Sequence, residues 1–431
     1  MPSTTAVLTA PVELPPPSGL RSLIPTLVYD VTKSNDERRQ TLHELLIKGH
    51  DSMAPLREPK LILHSHLPHL LGSGYILGAN SKQLKELYEH EIKTLVRVDD
   101  TSVRGNSISK TEWRKFLGQK SYTVAYVDFF DSEVKMNNGD WKAVLQQYLF
   151  SGAEPLVNGM VGGLGHPFIH LAYAWELQSP TVATEGLSLG CTEYIPLHGI
   201  LDRAPPDNSL YKSSNLAEVL SRVQADKRLD GLFTKPGITN IDILLEKRYS
   251  VLLEHWNAWE VTDPLQQLEQ CCDLSLLLGI GTGSGAGKYD FYLIHTMTVA
   301  QAIRVLWHFI PEERHASILK QYALFLLLIY VCQMKPEFPT KIIQRIDSID
   351  LGGHDWSWVM AQALEHRWAK DSHFFKVVRA PKAFEDTFGK KSDHYLKASV
   401  KFISEFNGWT GFGEGVAGYL PDRDGFHPDK E

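Results

Sequence analysis

The chain has 431 residues, a hydrophobic content of 43% and a formal net charge of −7 at pH 7. Length and apolar content together support an extensive buried core, while the acidic balance and the lack of any long basic run exclude a phosphate-tracking nucleic-acid surface. Four cysteines (Cys191, Cys271, Cys272, Cys332) form neither a CxxC pair nor a disulfide framework, so a reducing, cytoplasmic setting with small-molecule partners is expected.

The first segment, MPSTTAVLTAPVELPPPSG, is rich in Pro, Ser and Thr and lacks the charged-then-apolar pattern of a secretory leader. Residues 1–20 therefore read as a disordered tail and 21–431 as one domain. In NSKQLKELYEHEIKTL, Asn80 or Ser81 can cap a helix whose stripe is Leu84, Leu87, Tyr88, Ile92 and Leu95. YTVAYVDFF, Tyr122 to Phe130, is the best strand candidate, because it alternates over a short apolar run. His198 to Asn215 reads as a loop. Asn240 opens a second helix, with Leu244, Val251, Leu252 and His255 on one face. Gly279 to Lys288 reads as a flexible connector between helices. Its glycines fit a relaxed GxGxxA, but no acidic residue follows at the distance a dinucleotide fingerprint requires, and Tyr289 replaces the Ser or Thr of a P-loop.

His295 shares helical spacing with Val299, Ala302, Ile303 and Leu306, which aims its ring at the core. The longest apolar run, Tyr322 to Met334, is shorter than the roughly 20 residues that span a bilayer. It reads as a core helix, and no membrane association is expected. No 20–50-residue repeat is present. The expected fold is mostly α, a single large multi-helix domain with an internal active-site cavity.

Histidines recur inside the most apolar of these segments: LILHSHLPHLL (His64, His66, His69), GGLGHPFIHLAYAW (His166, His170), the His295 segment with His308, and DSHFFKVVRA (His373). A buried imidazole needs a hydrogen-bond partner or a metal. For one ring alone, a satisfied core histidine is the ordinary explanation. Four rings on separate helical segments (His66, His166, His295 and His373) match the way helical bundles build internal metal sites. His170 follows His166 by one helical turn and is an alternate ligand or pocket residue. Glu176, on the helix after His170, is a candidate to orient a metal-bound imidazole from behind, with a surface or capping role as the alternative; Glu185 and Asp290 are the other nearby acids. His43, His50, His90, His315, His394 and His427 lie in polar contexts and call for no special role.

Lys376 stands three residues after His373 amid Phe374, Phe375, Val377 and Val378. Burial favours its neutral amine, which can add carbon dioxide to give a carbamate, an oxygen ligand; a lysine that snorkels to solvent is the alternative. Neither a GxSxG elbow nor an HExxH zinc helix is present.

The blocks HSHLPHLLGSGYILGA, GGLGHPFIHLAYAWE, KYDFYLIHTMTVAQAIR and HFFKVVRA, in this order from Leu61 to Ala380, together resemble the questin oxidase-like family of fungal polyketide pathways. The first block departs from the family pattern in carrying Ser65 where an asparagine is expected before His66. The resemblance implies oxidative cleavage of an anthraquinone-type ring by a Baeyer–Villiger-like oxygen insertion, and family members are described as NADPH-dependent monooxygenases. Combined with the histidines, it leads to a non-haem Fe(II) oxygenase in which His66, His166, His295 and His373 bind the metal and Lys376 is a fifth ligand, acting on an aromatic polyketide and dioxygen. Two alternatives remain: a metal-free, NADPH-dependent monooxygenase of the same substrate class, and a non-enzymatic helical binding protein. Trp175, Trp256 and Trp259 are compatible with a flat aromatic substrate.

Overall fold

The computed structural model describes residues 13–33, 36–58, 60, 63–283, 286–336 and 342–412. The expected tail lies outside the described residues as far as position 12, as does His427; from there Pro15 is buried and Ser18 donates from both its N–H and its hydroxyl to the Glu269 carboxylate, each at 2.7 Å. Glu269 and Asp273 in turn hold the buried Lys391 ammonium, each at 2.6 Å, and Asp273 accepts from Tyr395. This paired network ties the two ends of the domain to the helix Pro264–Leu276, and being fully partnered it avoids the cost of isolated buried charge.

Helices dominate, as the periodicity requires. The core is built around Leu293–Leu306, buried at every position, which packs against His166–Leu177, His315–Cys332, Ser372–Phe388 and Pro264–Leu276. Leu67–Leu77 fills the space between His166–Leu177 and Ser372–Phe388. All four cysteines are free and buried. One stretch among the described residues, Glu312–Cys332, is long and apolar enough to cross a membrane, and 78% of its most apolar window is buried inside the fold, so the run from Tyr322 is a core helix as expected.

Asn80 forms a reciprocal capping box with Gln83, at 2.9 Å both ways. That helix stops at Glu91, however, and Leu95 belongs to a short strand. Asn240–Ala258 is helical with Leu244, Val251, Leu252 and His255 buried. Tyr122–Phe130 is not a strand: Thr123–Met136 is a helix. Its exposed positions, Asp128, Ser132, Lys135 and Met136, recur at helical spacing, and burial on the other sides produces the apolar run that imitates a strand. The actual strands are brief, Leu63–His64 and Leu95–Arg97 flanking Met53–Arg57 in one antiparallel sheet and Tyr289–Asp290 pairing in parallel with Trp409–Thr410. The His198–Asn215 loop begins with a short helix, His198–Arg203. The glycine-rich connector does join two helices, but Gly279, Ile280 and Gly281 continue the first as a buried π-helical turn, so it is not loose there.

Candidate active site

Four elements deliver the histidines to one point. His66 immediately precedes the Leu67–Leu77 helix, and its backbone N–H donates to the buried Glu91 at 3.3 Å. Ser65 accepts from the Leu67 N–H at 3.2 Å and so steadies the same turn. His166 opens its helix after a glycine-rich turn in which Gly163 has φ +53° and Gly165 φ +73°. A Cβ on Gly163 would lie 2.8 Å from the His64 ring, so this turn can press against the site only as glycine. His295 sits in the first turn of Leu293–Leu306, where Asp290 accepts from the Tyr292 and Leu293 N–H groups at 2.8 and 2.9 Å. Asp371 caps Ser372–Phe388 by accepting from the N–H groups of His373 and Phe374 at 2.7 and 3.0 Å, which fixes His373 and places Lys376 one turn further on.

The rings face one another. His166, His295 and His373 bring one nitrogen each to within 4.8 Å of the others, as do His66, His69 and His166. The Nδ1–H of His166 donates to the Gly163 carbonyl and that of His295 to the Phe291 carbonyl, both at 2.6 Å, which leaves the Nε2 lone pairs facing inward. His66 Nε2 approaches His166 Nε2 at 2.8 Å. His295 Nε2, His373 Nε2 and Lys376 Nζ are buried without a hydrogen-bond partner among the described residues. Such orphaned groups cost about 1–3 kcal/mol each, and a backbone carbonyl behind a ring with a bare inner nitrogen is the usual arrangement behind a metal-bound imidazole. The donor set therefore fits a divalent transition metal.

Burial holds all these rings neutral. It pushes His66, His166 and His373 well below the usual histidine value and His295 to about 3, with the Lys376 charge adding to the effect at each ring. Burial likewise pushes the Lys376 ammonium down to about 7, opposed by the Asp371 and Glu91 carboxylates. Near neutral pH, a large fraction of this lysine is a free amine.

The histidine centre opens on a largely apolar cavity of about 270 Å³, with Phe291, Tyr292, Phe325 and Leu328 in its walls. Its polar side comprises His64 and Lys120. His64 Nε2 meets Glu193 at 2.5 Å, the Lys120 ammonium meets the same oxygen at 2.7 Å, and the His64 ring stacks on His166 at 4.5 Å. Burial raises the Glu193 carboxyl, but His64 and Lys120 outweigh it and hold the group at about 2. Trp175, Trp256 and Trp259 do not line this cavity.

His170 is turned away from the centre. Its Nδ1 meets His69 at 3.1 Å and its Nε2 meets Glu185 at 2.9 Å, so neither nitrogen is available to a metal in this arrangement. Glu176 orients no imidazole: six residues beyond His170 it leaves the far side of the helix and pairs with the buried Arg379. Glu185 is the carboxylate behind a ring. His50, which the polar context made ordinary, meets Glu185 at 2.9 Å and Asp131 at 3.0 Å. Its signal is absent from the sequence because the carboxylates lie 135 and 81 residues away.

The questin oxidase-like family model matches residues 63–381. The chain belongs to this family. It is 24% identical to the oxidoreductase AflY of Aspergillus parasiticus over 80% of this chain and 73% of that protein. It is also 24% identical to questin oxidase of Aspergillus fumigatus, over 75% of this chain and 76% of that one, and to the Baeyer-Villiger oxidase GME11358 of Pestalotiopsis microspora, over 81% and 82%. All of the histidines above except His50, together with Lys376 and Glu185, lie inside the matched span, and this family member is an oxidoreductase.

Proposed function

We propose that the protein is a cytoplasmic, non-haem Fe(II) oxygenase that opens the ring of an anthraquinone-type aromatic polyketide in fungal secondary metabolism. The observation that carries this reading is the set of unpartnered buried nitrogens on His295, His373 and Lys376 beside His66 and His166, at the end of a cavity. His66, His166, His295 and His373 would hold the iron, and Lys376 would complete the set as a carbamate, whose negative charge removes the repulsion an ammonium would suffer there. When bound, ferrous iron supplies dioxygen activation through an open coordination position.

The protein's own residues prepare the substrate. Phe291 and Leu328 form apolar walls suited to a flat polycyclic ring. The Lys120 ammonium at the cavity edge favours the ionised form of a phenolic hydroxyl, the electron-rich form that oxidation requires, while Glu193 fixes both Lys120 and His64. Ring opening by oxygen insertion beside the ketone agrees with relatives named questin oxidase and Baeyer-Villiger oxidase.

The test is incubation of protein purified without added metal with a hydroxylated anthraquinone, or its reduced form, under ¹⁸O₂. About one iron per chain and a labelled ring-opened carboxylic acid are expected. An active enzyme without stoichiometric metal, or one that needs NADPH even when the reduced substrate is supplied, would favour the metal-free monooxygenase instead.

A further inference from the structure

Behind the histidine centre a second set of groups runs outward without a break. His69, fully buried, meets His170 at 3.1 Å; His170, also fully buried, meets Glu185 at 2.9 Å; the other Glu185 oxygen meets His50 at 2.9 Å; and His50 meets Asp131 at 3.0 Å. Asp131 has 40% of its side chain exposed. A cavity of about 280 Å³ lined by His50, Asp131 and Glu185 lies at this outer end. At the inner end His69 Nδ1 has no partner among the described residues, and one nitrogen of the ring lies within 4.8 Å of nitrogens of His66 and His166.

We propose that His69, His170, Glu185, His50 and Asp131 form a proton path between the buried histidine centre and the protein surface, a role that rests on the oxygenase reading above.

The hydrogen-bond inventory fixes the resting state of the path. An ionised Glu185 only accepts, so His170 carries its proton on Nε2 and accepts at Nδ1 from His69 Nε2–H. His69 Nδ1 is then left as a bare lone pair. Burial works against the His50 imidazolium, but hydrogen bonds to Asp131 and Glu185 outweigh it and keep this ring charged up to about 10. A proton released in the centre is taken at His69 Nδ1, and the Nε2–H of that ring crosses to His170 Nδ1. The Nε2–H of His170 crosses to Glu185 Oε2, and His50 gives its Nε2–H through Asp131 to water. One proton enters and one leaves. Moved in concert, these transfers leave each inner imidazole with one proton, now on the other nitrogen, and the Glu185–His50 ion pair becomes a neutral pair. A purely structural chain would not need an unpartnered nitrogen at one end and an exposed carboxylate at the other.

The test uses two readouts. In metal-free protein with ¹⁵N-labelled histidine, His69 and His170 should both be protonated on Nε2, and exchange of the His170 Nε2–H with heavy water should slow about tenfold or more in His50→Gln, whose side chain fills the same space. In iron-loaded protein, His50→Ala and the surface change Asp131→Asn should keep iron content and slow turnover, by roughly 10- to 100-fold for His50→Ala, with a larger solvent isotope effect and recovery when imidazole is added to the medium. Wild-type speed in His50→Ala, or a loss with depleted iron and no response to imidazole, overturns the path. So does a His69 proton found on Nδ1. If wild-type protein shows no iron-dependent turnover, the functional reading fails by itself, and the tautomer and exchange measurements still decide the path.

Discussion

Two groups of buried histidines lie side by side and are treated oppositely. In the inner group, His295 and His373 each keep a ring nitrogen without a partner, and His66 and His166 face each other through Nε2 atoms that cannot both donate. In the outer group, both nitrogens of His170 and both of His50 are hydrogen-bonded, two of them to the same Glu185 carboxylate. Burial alone therefore does not mark a ligand. What separates the groups is that His295 and His373 leave Nε2 unsatisfied at a known cost, while His166 and His295 are held from behind by backbone carbonyls.

The sharpest way to break that comparison is to remove the inner rings singly. His295→Ala and His373→Ala should each lose iron and lower turnover by about 100-fold or more, with far-UV circular dichroism unchanged, because the Nε2 atoms removed make no hydrogen bond to the described residues and the His295 ring gives up a local bond to the Phe291 carbonyl. Lys376 follows. Lys376→Ala should lose activity with partial recovery from a short carboxylic acid, and Lys376→Arg should be inactive because guanidinium stays charged. Iron content and turnover near wild type in Lys376→Arg would show that the lysine is not a ligand.

The outer group should respond in stability. Its His50 pKa lies above the unfolded value and its Glu185 pKa below, since burial of Glu185 is outweighed by His170 and His50, which hold it at about 2. The histidine contribution is complete below pH about 6.5 and disappears as pH rises through 10; the glutamate contribution is complete above pH about 4.5 and disappears as pH falls through 2. The stability difference between wild type and His50→Gln in urea unfolding should accordingly be greatest between pH 4.5 and 6.5, at roughly 2–4 kcal/mol, and shrink towards pH 10. The smallest effect is expected at His308, which meets the Leu23 carbonyl at 3.0 Å. His308→Gln should cost about 1 kcal/mol and leave iron content unchanged.

Much of the inner group was legible in the sequence, because an imidazole in an apolar helical stretch is conspicuous whatever the tertiary structure. His66, His166, His295 and His373 are brought together as that pattern suggests. The carboxylates were not legible. Glu176 follows His170 closely along the chain yet leaves the helix on another side to meet Arg379, whereas Glu185 comes from the next helix, Pro180–Thr192. His50 and Asp131 join it from helices distant in sequence, and only tertiary packing creates their charge pattern. The fold shows the same division. The capped helix at Asn80 was readable from local chemistry, while Thr123–Met136, buried on most sides, lost its amphipathic signature and resembled a strand.

Metal analysis of protein purified without added metal, combined with the same analysis of His295→Ala, tests the central claim most directly. The account predicts about one iron per chain in the wild type, its loss in the variant, and ring-opening activity that follows the iron. Ring opening at full rate by a wild-type protein free of stoichiometric metal would contradict it.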